Sequence, residues 1–177
     1  MAVSSITQFL AGFGGGTRVN RFQVTTAGCG AAGNFLTNTD TQFHIRAATI
    51  PGSNIVPIGI NYFGRTINIP GERVYEPWSI TVLDDRGDKQ LYNKFKAWHK
   101  RVTSYGTDIS IDTTGIADCT WTITHLKNAD ETAHKTFTLS QAWPATIGPL
   151  ILDMSQDNVL ASFEVKILYT HFNYTHT

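Results

Sequence analysis

The chain has 177 residues, 41% of them hydrophobic, which is enough apolar material for the core of one domain and gives no reason to expect two. Fourteen basic and fourteen acidic side chains cancel, so no general electrostatic drive toward nucleic acid or an anionic membrane is expected. No apolar run approaches the roughly 20 residues that span a bilayer, and no basic region followed by an apolar block opens the chain; the expectation is a protein made in the cytoplasm and soluble until assembled, with no membrane partner.

Taken in order, Ser5 and Gln8 can form a capping box for a short helix that carries Ile6, Phe9, Leu10 and Phe13 at near-helical spacing. Gly12 and Gly14 to Gly16 follow as a flexible link and complete an N-terminal arm, residues 1–16. The glycine run lacks the preceding strand and the Gly-Lys-Ser/Thr ending of a phosphate-binding loop, so it reads as a linker. Val19 to Thr25 predicts the first strand, in which Phe22 and Val24 alternate with polar neighbours. Ala27 to Asp40 is rich in Gly, Ala, Asn and Thr and predicts a loop, and Gln42 to Ala47 the next strand, with Phe43, Ile45 and Ala47 inward.

The stretch from Ile58 to Asp85 carries the most information. β-Branched and aromatic residues flank a Pro-Gly turn signal, which predicts a long hairpin of Ile58 to Ile69 and Val74 to Leu83 joined through Pro70, Gly71, Glu72 and Arg73. In the second arm Val74, Trp78, Ile80 and Val82 share one parity, as a half-buried strand requires. In the first arm the apolar residues begin on even positions (Ile58, Ile60, Tyr62) and end on odd ones (Phe63, Ile67, Ile69). A period of two forbids that in a regular ladder, so either a bulge at Gly64 or a strand that passes into a different environment is expected. Twelve residues at about 3.3 Å each reach roughly 40 Å, so the hairpin should overhang its domain and recruit neighbouring chains through its unpaired edges and apolar groups.

After Leu83 the period changes to about 3.6, with Leu91, Phe95, Trp98 and Val102 on one face, which predicts a helix over residues 88–102 with Asp88 as N-cap. The remainder reads as strands: Asp108 to Asp112, Asp118 to Leu126 (Cys119, Trp121 and Ile123 inward), and Thr136 to Trp143 (Phe137, Leu139 and Trp143), closed by Trp143-Pro144. Leu150 to Asp153 and Val159 to Tyr174 follow, the latter with Phe163, Val165, Ile167 and Tyr169 on one side. The fold class expected is mainly β, an antiparallel sandwich or barrel with one flanking helix, a protruding hairpin at 58–85 and a C-terminal tail at 170–177.

Several runs here are similar to those of the tail tube proteins of contractile-tailed bacteriophages. They are Ile50-Pro51-Gly52, Pro57-Ile58-Gly59, Gly64-Arg65-Thr66-Ile67-Asn68-Ile69, Gly71-Glu72-Arg73 and Trp78-Ser79-Ile80-Thr81-Val82, then Trp143-Pro144, Ile147-Gly148, Leu152-Asp153, Asp157-Asn158 and Phe163-Glu164-Val165. The chain resembles that family over most of Ile50 to Asp85 and Trp143 to Tyr169, and departs from it in the glycine-rich link and in the tail from Thr170. What the resemblance implies is a protomer that forms hexameric rings, stacked into a tube that conducts double-stranded DNA from capsid to host without reading its sequence. Sheath, baseplate and tape measure proteins are the implied partners, and the virion tail, assembled in the host cytoplasm, the implied location. The implied subunit interface is the hairpin: Ile58, Ile60, Tyr62, Phe63, Gly64, Arg65, Ile67, Ile69, Gly71, Glu72, Arg73, Tyr75, Glu76 and Trp78. A tube of a type VI secretion or other contractile injection system, and a monomeric β-sandwich that binds a ligand, are the alternatives.

Chemistry has little to build on. The six histidines, His44, His99, His125, His134, His171 and His176, show no HxH or HExxH spacing, so no metal site is expected. Cys29 and Cys119 lie far apart and offer neither a zinc site nor a disulfide framework. No GxSxG elbow is present, and the carboxylate pairs Asp84-Asp85 and Asp130-Glu131 suit capping and solubility. No catalytic residue and no cofactor are assigned.

Overall fold

The computed structural model describes residues 6–13, 16–28, 42, 44–85, 90–102, 119–128, 132–155 and 157–176. An N-terminal helix, α1 (Ile6–Phe13), precedes strands β1 (Phe22–Ala27) and β2 (Ile45–Ala48). A long ribbon of β3 (Ser53–Tyr62) and β4 (Arg65–Tyr75) follows, and then β5 (Trp78–Leu83). Helix α2 (Leu91–Val102) leads to β6 (Thr120–Leu126), β7 (Ala133–Ser140), β8 (Trp143–Ile147), β9 (Ser162–Leu168) and β10 (His171–His176).

Two four-stranded antiparallel sheets result, in the orders β1-β6-β7-β10 and β2-β5-β9-β8, while β3 and β4 form a separate two-stranded sheet. The alternation seen in sequence sets the inner faces. Trp78, Ile80 and Val82 lie opposite Ile167, Val165 and Phe163, and all six are buried. Trp121, Ile123, Phe137 and Leu139 are buried on the other sheet. The sheets meet where the Trp78 and Trp121 rings pack edge to face at 5.3 Å, a geometry that aromatic quadrupoles favour. Leu91, Phe95, Trp98 and Val102 of α2 are all buried as their spacing predicts, and Phe95 meets Phe163 at 5.9 Å. One end of the β2-β5-β9-β8 sheet therefore packs on the helix and the other on the facing sheet.

Several expectations are corrected. The long hairpin does not turn at Pro70 to Arg73, and Val74 to Leu83 is not its second arm: the turn is at Phe63-Gly64, β4 runs through Pro70-Gly71, and β5 is a core strand. Only a two-stranded ribbon, without a third strand on either side, leaves room for Pro70 opposite Pro57, since proline removes a ladder donor. A register shift between Ile45 and Ala47 leaves Ala47 exposed and packs Ala48 against the core. Trp143-Pro144 does not close β7 but opens β8 in the other sheet, after Gln141 takes a positive φ of 54°. Leu150 to Asp153 is a connection rather than a strand, with Leu150 half-buried against the core and Ile151 to Asp153 exposed, and Val159 to Tyr174 divides into β9 and β10, which belong to different sheets. Cys119 is buried as expected and is disulfide-bonded, which corrects the reading of the cysteines. The predicted N-cap Asp88 and the predicted strand Asp108 to Asp112 lie outside the described residues.

Candidate assembly surface

Phe63 and Gly64 both have positive φ, 47° and 73°, and Tyr62 pairs directly with Arg65, so the ribbon closes through a two-residue turn of the I′ kind. That turn matches the right-handed twist of its strands, and glycine takes its left-handed position without steric cost. Register then sorts the side chains. Ile58 faces Ile69, and Ile60 faces Ile67, all on one side with Tyr62 and Arg65; Gly59 faces Asn68 and Asn61 faces Thr66 on the other. On that polar side the Thr66 hydroxyl donates to Asn61 Oδ1 at 2.9 Å.

Between the Ile55–Arg73 and Pro57–Pro70 pairs β4 carries one residue more than β3, a bulge at Gly71-Glu72. Here the two backbones come close: a Cβ on Gly71 would stand 2.5 Å from the carbonyl oxygen of Val56. The base of the ribbon is fixed to the sandwich. Tyr75 packs against Phe172 at 5.3 Å and Tyr169 at 5.7 Å. Burial raises the Tyr169 phenol above its ordinary pKa of 10.0, with Tyr75 and Glu76 adding to the shift, so it stays neutral there. The indole Nε1 of Trp78 donates to the carbonyl of Thr49 at 2.6 Å, and Glu76 N donates to Gly52 O at 3.4 Å.

Beyond this base the ribbon stands in water. Every residue from Gly52 to Pro70 is exposed, among them Ile58, Ile60, Ile67 and Ile69 at about half their surface and Phe63 at 89%. The expected site residues therefore divide. Ile58, Ile60, Tyr62, Arg65, Ile67 and Ile69 form one face, Phe63 and Gly64 the tip, and Gly71, Glu72 and Arg73 the bulge. Tyr75 is half-buried at the base with Glu76 beside it, and Trp78 is completely buried in its own core, so it offers no surface to another chain. Among the described residues His44 Nε2 lies 3.6 Å from the Asp85 carboxylate, and no ion pair of Arg65, Glu72 or Arg73 is seen.

A second exposed apolar region escaped the sequence reading. Ile151, Leu152, Met154, Val159 and Leu160, in the connection between β8 and β9, are open to solvent around a concavity of about 470 Å³. Its signal was the run Leu150-Ile151-Leu152, apolar without the alternation of a half-buried strand. Among the described residues no group of three or more His, Cys, Asp or Glu is placed to hold a metal ion.

The phage tail tube protein family matches residues 17–175. The chain belongs to that family. Tail tube protein gp19 of Enterobacteria phage T4 is 25% identical over 150 residues, covering 85% of this chain and 86% of its own. The tail tube protein of Serratia phage KSP90 is 25% identical over 168 residues, covering 88% and 87%. In fold the chain is similar to the sheath-tube complex of an extracellular contractile injection system, PVC, with a TM-score of 0.65 at 15% identity over 98% of this chain and 99% of that one. Hcp1 from E. coli EAEC 042 has a TM-score of 0.50 at 11% identity, covering 88% and 91%. The chain is thus a structural phage tail tube protein and a virion component, and not an enzyme. The family match includes β10, so the tail from Thr170, read as a departure from the tail tube pattern, is an edge strand within it.

Proposed function

We propose that six copies close into a ring through the β3–β4 ribbon, and that the rings stack into a hollow tube that passes double-stranded DNA from capsid to host. The observation that carries this is the ribbon itself: roughly 33 Å long, with an apolar face of four isoleucines toward its tip, held out in water by a chain whose core is complete without it. Burying such a face in another copy removes its cost. Ile58, Ile60, Tyr62, Phe63, Gly64, Arg65, Ile67, Ile69, Gly71, Glu72 and Arg73 are the contact residues, with Tyr75 and Glu76 at the edge of the contact.

The sheets supply the wall. Each has four strands, and its outer strands, β1 and β10 or β2 and β8, can accept a neighbour. Six protomers lending four strands each give 24 strands, which at about 4.8 Å spacing and about 45° tilt make a barrel roughly 50 Å across. That leaves a bore for a duplex. A formal charge of zero favours passage over retention, because few phosphates would be neutralised and no base edge would be read.

Residues 1–177 act in this proposal as one domain, assembled in the host cytoplasm. Sheath and baseplate proteins are the proposed partners, supported by the likeness to the PVC sheath-tube complex and to the anti-feeding prophage baseplate (TM-score 0.66, 14% identity, 90% of this chain and 95% of that one); a tape measure protein would fill the bore before ejection. Of the alternatives, a contractile injection tube shares this architecture, whereas a monomeric sugar-stacking module would need accessible indoles, and Trp78, Trp98 and Trp121 are buried and Trp143 is half-buried against the core. Negative-stain microscopy of the purified protein tests the proposal: rings and hollow fibres are expected, and a monodisperse particle of one chain at high concentration overturns it.

A further inference from the structure

Two separate apolar surfaces are open to water on the same chain: the isoleucine face of the ribbon, and the connection between β8 and β9 with Ile151, Leu152, Met154, Val159 and Leu160. Neither covers the other within one protomer. Both are made of apolar side chains that expose about half or more of their surface, the kind of patch that a specific contact covers.

The two surfaces are opposite in shape and in charge. The ribbon is a protruding rod with Arg65 and Arg73 against Glu72, a net charge of one positive. The connection is concave, about 470 Å³, and carries Asp153 and Asp157 without a basic residue between Gly148 and Ala161. Its rim is ordered locally: Asp153 Oδ1 accepts from Ser155 N at 2.9 Å and from Ser155 Oγ at 2.7 Å. The other cleft, about 160 Å³ between Phe22, Ile50, Ile123 and Phe137, fits the ribbon poorly. It is small, and Lys135, opposite His125 of its wall on the next strand, brings charge of the same sign as Arg65.

We propose that the ribbon of one copy seats its Ile60–Ile67 face in the β8–β9 connection of a second copy, with Arg65, which shares that face, toward Asp153 and Asp157. The contact joins two different patches, so it is heterologous: each copy donates a ribbon and receives one, and repetition closes a ring or extends a stack. The attraction between the charges fixes register more than it adds affinity. This seat rests on the assembly reading above and names the partner surface that reading leaves open.

Mixing two single-cysteine variants tests it. Ile60→Cys and Leu152→Cys are both at exposed positions, and Cys119 is already in a disulfide, so the new thiols can meet each other. After co-assembly and mild oxidation, a non-reducing gel should show a shift to the dimer band in the mixture and in neither variant alone. Ile67→Cys with Met154→Cys repeats the test at a second point of the same contact. Fibres that form without a mixed dimer from either pair overturn the seat while the assembly reading stands. A dimer from Ile60→Cys alone overturns it in favour of ribbon meeting ribbon. Unmodified protein that stays a single chain overturns both.

Discussion

Tyr62 lies directly opposite Arg65 in the ribbon, so that only Phe63 and Gly64 are left to turn the chain. In an antiparallel pair closed by two residues, even positions of one strand share a face with odd positions of the other. Ile58 and Ile60 on β3 and Ile67 and Ile69 on β4 are for this reason neighbours on one side. The change of parity at Gly64 is the mark of the turn, and neither of the two expected irregularities, a bulge there or a strand changing environment, is needed.

Gly64→Pro should abolish tube growth while leaving the sandwich folded. Proline fixes φ near −65°, and Gly64 stands at +73°, so the turn cannot form. The core lies elsewhere, so the urea midpoint should move by no more than about 1 kcal/mol equivalent. Sedimentation checks the first outcome and chemical denaturation the second.

Ile60→Lys and Ile67→Lys, alone or together, should behave as soluble single chains. Both side chains are about half exposed, so the fold is expected to change by only about 0.5 kcal/mol, whereas burying an unpaired ammonium in an interface costs far more. Normal fibres from the double variant by electron microscopy would remove the role given to this face. Charge reversal, Arg73→Glu, should likewise leave the sandwich intact and suppress fibres, as read by sedimentation.

Trp121→Ala should cost about 3–5 kcal/mol in urea unfolding, because a fully buried indole that joins the two sheets through Trp78 would leave a cavity. A loss below about 1 kcal/mol would mean that the sheets close over the gap.

Stability should fall as pH drops below about 6.5, in part through His134. Its ring stands 5.1 Å from that of His176 and 6.1 Å from that of His125, at the end of β6, β7 and β10. Desolvation, then His176, Lys135, His125 and Lys127, hold its pKa below the ordinary 6.5. The unfolded chain thus takes up the proton first, and acid favours unfolding from 6.5 down to the folded-state value. His134→Gln should flatten that slope between about pH 7 and 5 in pH-stepped denaturation, and an unchanged slope would clear His134 of the effect.

The amino-acid order by itself determined which residues are core. Val24, Trp78, Ile80, Val82, Trp121, Phe137, Leu139, Phe163, Val165 and Ile167 alternate, and Leu91, Phe95, Trp98 and Val102 repeat at helical spacing, because a period reports a face whatever the partner. The same local signals misplaced the hairpin turn. Pro70-Gly71 is the strongest turn signal in the stretch, but only pairing with β3 shows that it is a bulge inside a strand, and only the sheet assignment separates β4 from β5. The division of Val159 to Tyr174 into two strands of different sheets, and the exposure of Ile151, Leu152 and Met154, were likewise decided in three dimensions. A sequence fixes how side chains alternate along a strand; which strand lies beside it, and whether water or protein covers its face, depends on residues far away in the chain.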